Sequence, residues 1–143
     1  MTFVRYQSPV PDRRGRHLGI FGLVNSLGHR SLLTAEEENF RRTTNAWYDA
    51  TYPNPSDTDP AVYADNPLAA AWFRETADHL VAPIPGYLEI LAAHNYPCER
   101  YASPDPGRVL YEDEYQVVVV PHAPATEEIT TIMWLPPAPA PAP

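Results

Sequence analysis

Four consecutive valines, Val117 to Val120, most constrain what this chain can become. β-Branched side chains favour a pleated, packed surface. A run with no alternating polar residue implies a strand buried on both faces, so helices or other strands must cover it. Tyr115 and Gln116 lead into the valines, and a second β-rich segment, Arg108-Val109-Leu110-Tyr111, precedes them. Between the two lie Glu112, Asp113 and Glu114. The pattern predicts two antiparallel strands with a short acidic connection. Ser103-Pro104-Asp105-Pro106-Gly107 starts the hairpin sharply, because proline fixes φ and glycine relaxes it. Pro121 ends the second strand by withholding a ladder donor.

A length of 143 residues fits one domain. Cys98 is the single cysteine, so no intrachain disulfide can form, which favours a reducing compartment. There is no long uncharged apolar run and no signal-peptide core at the N-terminus, so a cytoplasmic protein is expected. The net charge of −8 is unevenly spread. Residues 1–30 hold five arginines (Arg5, Arg13, Arg14, Arg16, Arg30) against one acid, Asp12. The rest holds five arginines against seventeen acids, and lysine is absent. Absent lysine with abundant alanine and proline is the mark of a GC-rich genome. The acidic body argues against general nucleic-acid binding.

The remaining elements follow from local signals. Thr2 to Tyr6 is a short extended segment, followed by a turn and a small basic cluster at Arg13, Arg14, Arg16 and His17. That cluster is either a solvated loop or a contact for a phosphate or an acidic partner. Leu18 to Leu27 is a helix by spacing, with Gly28 suited to a left-handed stop. Thr34-Ala35-Glu36-Glu37 is a capping box that starts a second helix, with Phe40, Trp47 and Tyr48 turned inward. Arg41 and Arg42 are placed to pair with the preceding acids. Tyr52 to Pro60 is a loop. Asn66-Pro67 is expected to start a third helix with an inner stripe of Ala69, Trp72, Phe73, Thr76 and Leu80. Gly86 to Asn95 is a fourth helix, Cys98 to Ala102 a strand and Glu128 to Leu135 a last strand. Residues 136–143 form a Pro/Ala-rich extended tail whose removal should change stability little.

Chemistry-bearing patterns are sparse. Asp57, Asp59 and Asp65 lack the spacing of a calcium loop, and His94 with Cys98 would need two more ligands to hold zinc. No metal set is therefore assigned. Cys98 reads as a small buried residue, or as a nucleophile served by a distant histidine. Glu112, Asp113 and Glu114 are the densest carboxylate cluster, fit for a plain acidic turn or, with one pKa raised, for acid–base work.

Two resemblances attach to these residues. NPLAAAWF (66–73), with PGRVLYEDEYQVVVVP (106–121), resembles a pattern in a group of uncharacterised bacterial and phage proteins with no established activity. The Tyr-Glu-Asp opening also looks like histidine-triad hydrolases, but those need a His-x-His-x-His segment that is absent. A fainter likeness is to ADP-ribosyltransferases. It implies Arg5 on the dinucleotide phosphates and Gln116 or Glu114 on the ribose hydroxyls of NAD. It also implies one of Tyr6, Trp72 or Phe73 stacked on the nicotinamide. Apart from that likeness, a ligand cleft is expected next to Tyr111 and Gln116. That family's middle Ser-Thr-Ser or Tyr element is not found.

The sequence thus predicts a single α+β domain over residues 1–135. Its sheet is mainly antiparallel with a C-terminal hairpin, covered by about four helices. The expected function is a small binding or accessory protein that takes a protein partner or a small-molecule ligand. The alternative is a nucleotide-using transferase with NAD as its implied ligand.

Overall fold

The structure, a computed structural model, describes residues 1–122 and 130–132. In chain order the elements are β1 (Phe3–Gln7), α1 (Ile20–His29), α2 (Ala35–Thr51), α3 (Pro55–Thr58), β2 (Ala70–Arg74), α4 (Asp78–Val81), α5 (Ile84–Ala93), β3 (Glu99–Ser103), β4 (Arg108–Glu112), β5 (Gln116–Val120) and β6 (Thr130–Ile132). The strands form one six-stranded sheet in the order β4-β5-β2-β1-β3-β6, with every neighbouring pair antiparallel. The class is α+β, and β4 and β5 are the hairpin that the valine run dictates. The tail expected over 136–143, and the rest of the strand expected over 128–135, lie outside the described residues.

Val117, Val118 and Val119 are each at most 1% exposed, as a two-sided strand requires. Val117 and Val119 cluster with Phe3 and Trp72 on one face. Strand alternation turns Gln116 and Val118 to the other face, where Val4 and Phe73 meet the helices. Ile20, Val24 and Leu27 of α1 and Ile84, Tyr87 and Leu91 of α5 complete that larger core. Gly107 is small for a steric reason: a Cβ there would collide with the Val120 carbonyl oxygen across the hairpin.

The helix expected after Asn66-Pro67 is instead strand β2, the partner of both β1 and β5. Alanine-rich residues 69–71 favour a helix locally, but pairing on both edges overrides that preference. Trp72 and Phe73, adjacent in sequence, therefore face opposite sides of the sheet. The two-sided apolar run that marks β5 marks β2 as well.

The second helix forms as the capping box predicts: Thr34 Oγ1 accepts from Glu37 N, and Thr34 N donates to Glu37 Oε1 at 2.8 Å. Glu38 pairs with Arg41 and Arg42. Only Tyr48 of the expected inner trio is buried, while Phe40 is partly covered and Trp47 is 40% exposed. Tyr48 lies about 100° from Trp47 on the helix and packs on Phe21, Phe73 and Tyr87. Gly28 does not stop α1, because Ser31 takes the left-handed conformation with φ 58°. Gly28 lets the Arg41 side chain cross α1, as a Cβ at 28 would strike it.

Candidate functional site

The longest helix ends on open space. Tyr52 N closes the last turn of α2 on Tyr48 O, and Pro53 forbids continuation. Asn54 then caps a single turn, α3, its side chain accepting from Ser56 N at 3.0 Å with Pro55 at the first position. This turn stands inside the segment expected to be loop throughout. Pro55 at its start and Val62 after it are buried, while residues 57–60 between them are exposed. The result is a cleft of about 860 Å³ between the end of α2, the loop with α3, and strands β2 and β5. Phe21, Tyr52, Ala71 and Tyr115 contribute apolar surface to its lining, and Asp49, Asp57 and Gln116 contribute polar groups.

Gln116 is held firmly at the first position of β5. It is 1% exposed, and its Nε2 donates to Pro53 O at 2.7 Å and to Asp113 Oδ2 at 3.1 Å. Asp113 organises the turn before it. Its Oδ1 accepts from Tyr115 N and Gln116 N, and its Oδ2 accepts from Tyr111 Oη as well as from Gln116. Burial opposes ionisation of Asp113, but these hydrogen bonds outweigh it and hold the carboxyl below its ordinary value. The acid–base reading of residues 112–114 needs a raised pKa, and the shift at Asp113 runs the other way.

Arg5, Tyr6 and Phe73 line a smaller cavity of about 70 Å³, which shares Phe21, Tyr52 and Ala71 with the cleft. That volume holds a few waters at most. The Arg5 fork is committed to the protein: Nε donates to Gln7 Oε1, Nη1 to Ala71 O and Nη2 to His17 O. Burial pulls its pKa down to about 10, which leaves it charged at neutral pH. Its guanidinium secures the place where Gly19 is bridged to Gln7. Tyr111 is turned to Asp113, Glu114 is exposed at the hairpin turn, and Trp72 lies on the far face of the sheet. Arg5, an aromatic and Gln116 thus sit along two adjoining spaces. The stacking candidate Trp72 lies on the sheet face opposite Gln116, and three of the five Arg5 N–H groups are spent on protein oxygens.

Other candidates resolve into packing. Cys98 is fully buried, and burial pushes its thiol up to about 12, so it holds almost no thiolate at neutral pH. We expect Cys98 to resist a disulfide-exchange reagent in native protein and to react within seconds in denaturant; rapid native labelling would contradict this placement. His94 contacts Glu37 Oε1 at 2.9 Å and His17 Nδ1 contacts Ser8 O at 2.9 Å. In the basic cluster, Arg16 pairs with Asp12 at 3.0 Å. Among the described residues no group of three His, Cys, Asp or Glu could hold a metal ion, and no helix is long and apolar enough to cross a membrane.

Sequence reasoning named Gln116 and weighed Asp57 only for a calcium loop, and it missed Asp49, Tyr52 and Tyr63. A usable signal was Asp49 itself, an acid in a last helical turn that has no basic residue. Comparison with protein-family models, with curated proteins and with solved structures gave no match.

Proposed function

We propose that the chain is a small cytoplasmic binding domain, whose cleft at the end of α2 holds a small ligand or a side chain offered by a protein partner. The observation that carries this reading is the cleft itself. Its volume of about 860 Å³ matches ordinary ligand sites, which combine apolar walls with a few fixed polar groups. Gln116 supplies such a group, because its carboxamide is oriented before any ligand arrives. Binding is favoured over catalysis by what lines the space. Among the described residues the lining holds no His, Cys, Lys or Arg to serve as a nucleophile–base pair or a cationic clamp for phosphates.

Thermal-shift screening of NAD, nucleotides, divalent metals and small amines tests the reading, with Ala50→Trp beside the native chain. Ala50 is exposed at the rim of the cleft, so tryptophan there narrows the space at little structural cost. A ligand present at a hundredfold over its Kd adds about 2.7 kcal/mol to native stability. The expected result is a compound that raises the Tm of the native chain and not that of Ala50→Trp, with the unligated Tm values within a few degrees. Equal stabilisation of both chains would place binding elsewhere. NAD cleavage by the native chain would favour the transferase alternative.

A further inference from the structure

Among the described side chains that line the cleft, Asp49 and Asp57 offer only acceptors when ionised. Asp49 and Asp57 are carboxylates, and among the described residues neither is in an ion pair. Asp49 also stands in the last turn of α2, where the helix exposes its own carbonyls and the negative end of its dipole. Helices ordinarily place a cation there, but the last turn of α2 contains no basic residue. The local rule is broken with no compensation from within the described chain, which is the mark of a site awaiting a partner.

Gln116 supplies an independent observation. Both acceptors of its Nε2 are oxygens that cannot donate, a backbone carbonyl and a carboxylate held ionised. The amide therefore cannot be reversed, and its Oε1 must point away from both. No donor among the described residues reaches Oε1, and no fully enclosed side-chain oxygen is left without a partner. Gln116 is 1% exposed and lines the cleft, so among the described residues its oxygen is an acceptor without a donor, on a side chain that borders that space.

From this geometry we infer that the cleft recognises a guanidinium group, held by Asp49, Asp57 and Gln116 Oε1 and flanked by tyrosine rings. The inference rests on the reading of the cleft as the binding site. A guanidinium is planar, carries five N–H donors and has no acceptor, which complements an acceptor-rich wall. Its faces stack on aromatic rings, and Tyr52, Tyr63 and Tyr115 all border the space. An anion would meet two carboxylates, and a neutral amide would leave them unpaired. Arg5 bears the like charge, but it lines the adjoining cavity and its fork faces protein oxygens. A small guanidino compound and an arginine side chain of a partner present the same group and the same chemistry.

NMR titration of the full chain with N-ethylguanidinium, with neutral N-ethylurea, and with end-blocked Gly-Arg-Gly tests this. The expected result is saturable shifts at Tyr52, Tyr63 and the Gln116 side-chain amide with either guanidinium probe, and none with the urea. The double variant Asp49→Asn/Asp57→Asn, altered only at exposed positions, should weaken binding at least tenfold. Tighter binding of the peptide supports a protein source, and equal or tighter binding of N-ethylguanidinium supports a small molecule. Failure of both probes to saturate, or equal affinity in the double variant, overturns the inference. If they fail while another compound shifts the same residues, the ligand class falls and the cleft stands. If the compounds that bind shift only residues elsewhere, both fall.

Discussion

Val118→Asp is expected to abolish folding at 25 °C. Val118 is 0% exposed and lies opposite Ala71 of β2 on one side and Tyr111 of β4 on the other. A carboxylate there would have neither water nor a cation. Burying an unpaired charge costs about 4 kcal/mol or more, against a total stability of about 5–15 kcal/mol for a domain. Far-UV circular dichroism and a urea titration measure the loss. Val109→Asp is the control, because Val109 sits on the edge strand β4 and is 54% exposed. Its effect should stay within about 1 kcal/mol. A folded Val118→Asp protein with a near-native Tm would contradict the sheet described above.

Asp113→Ala should be the next most damaging change, by about 3 kcal/mol, since hydrogen bonds to an ionised acceptor are each worth about 1.5–3 kcal/mol and are not additive. Four donors converge on this carboxylate, two from the backbone and two from Tyr111 and Gln116. Removing it frees the Gln116 carboxamide and the turn together. Glu114→Ala, one residue on and exposed, should shift stability by no more than about 0.5 kcal/mol. The pH dependence follows from the direction of the Asp113 shift. Its folded pKa lies below the ordinary carboxyl value, so its stabilisation is complete above about pH 4 and is lost as pH falls through the folded pKa. Urea midpoints measured between pH 6 and pH 3 should therefore fall less steeply for Asp113→Ala than for the native chain. Parallel curves would mean that Asp113 is not the turn's ionised centre.

The sequence made legible those elements whose local and tertiary signals agree. The valine run could only be a buried strand, and the capping box at Thr34 could only start a helix, because side chain and backbone satisfy each other within one turn. Residues 66–80 misled for the opposite reason. Asn66 and Pro67 look like a helix start, yet Asn66 Nδ2 donates back to Val62 O within a turn. Ala70 to Arg74 then pairs with strands roughly 45 and 70 residues away in the chain, a fact that no local window contains. The site was half legible. Gln116 was named through the likeness to ADP-ribosyltransferases, as a group for the ribose hydroxyls. Its role depends on Pro53, which is 63 positions away and meets it only in the folded chain. The carboxylates at 49 and 57 line one cleft for the same reason, since the α3 turn was hidden among prolines.

The central claim is that Gln116 is locked by its nitrogen and offers its oxygen to a ligand space. The Gln116 side-chain amide in a nitrogen-15 correlation spectrum measures this directly. Both amide protons should exchange slowly with water in the free protein, and the resonance pair should shift when a compound from the thermal screen saturates the chain. Fast exchange of both protons, or an unmoved pair at saturation, would contradict the account.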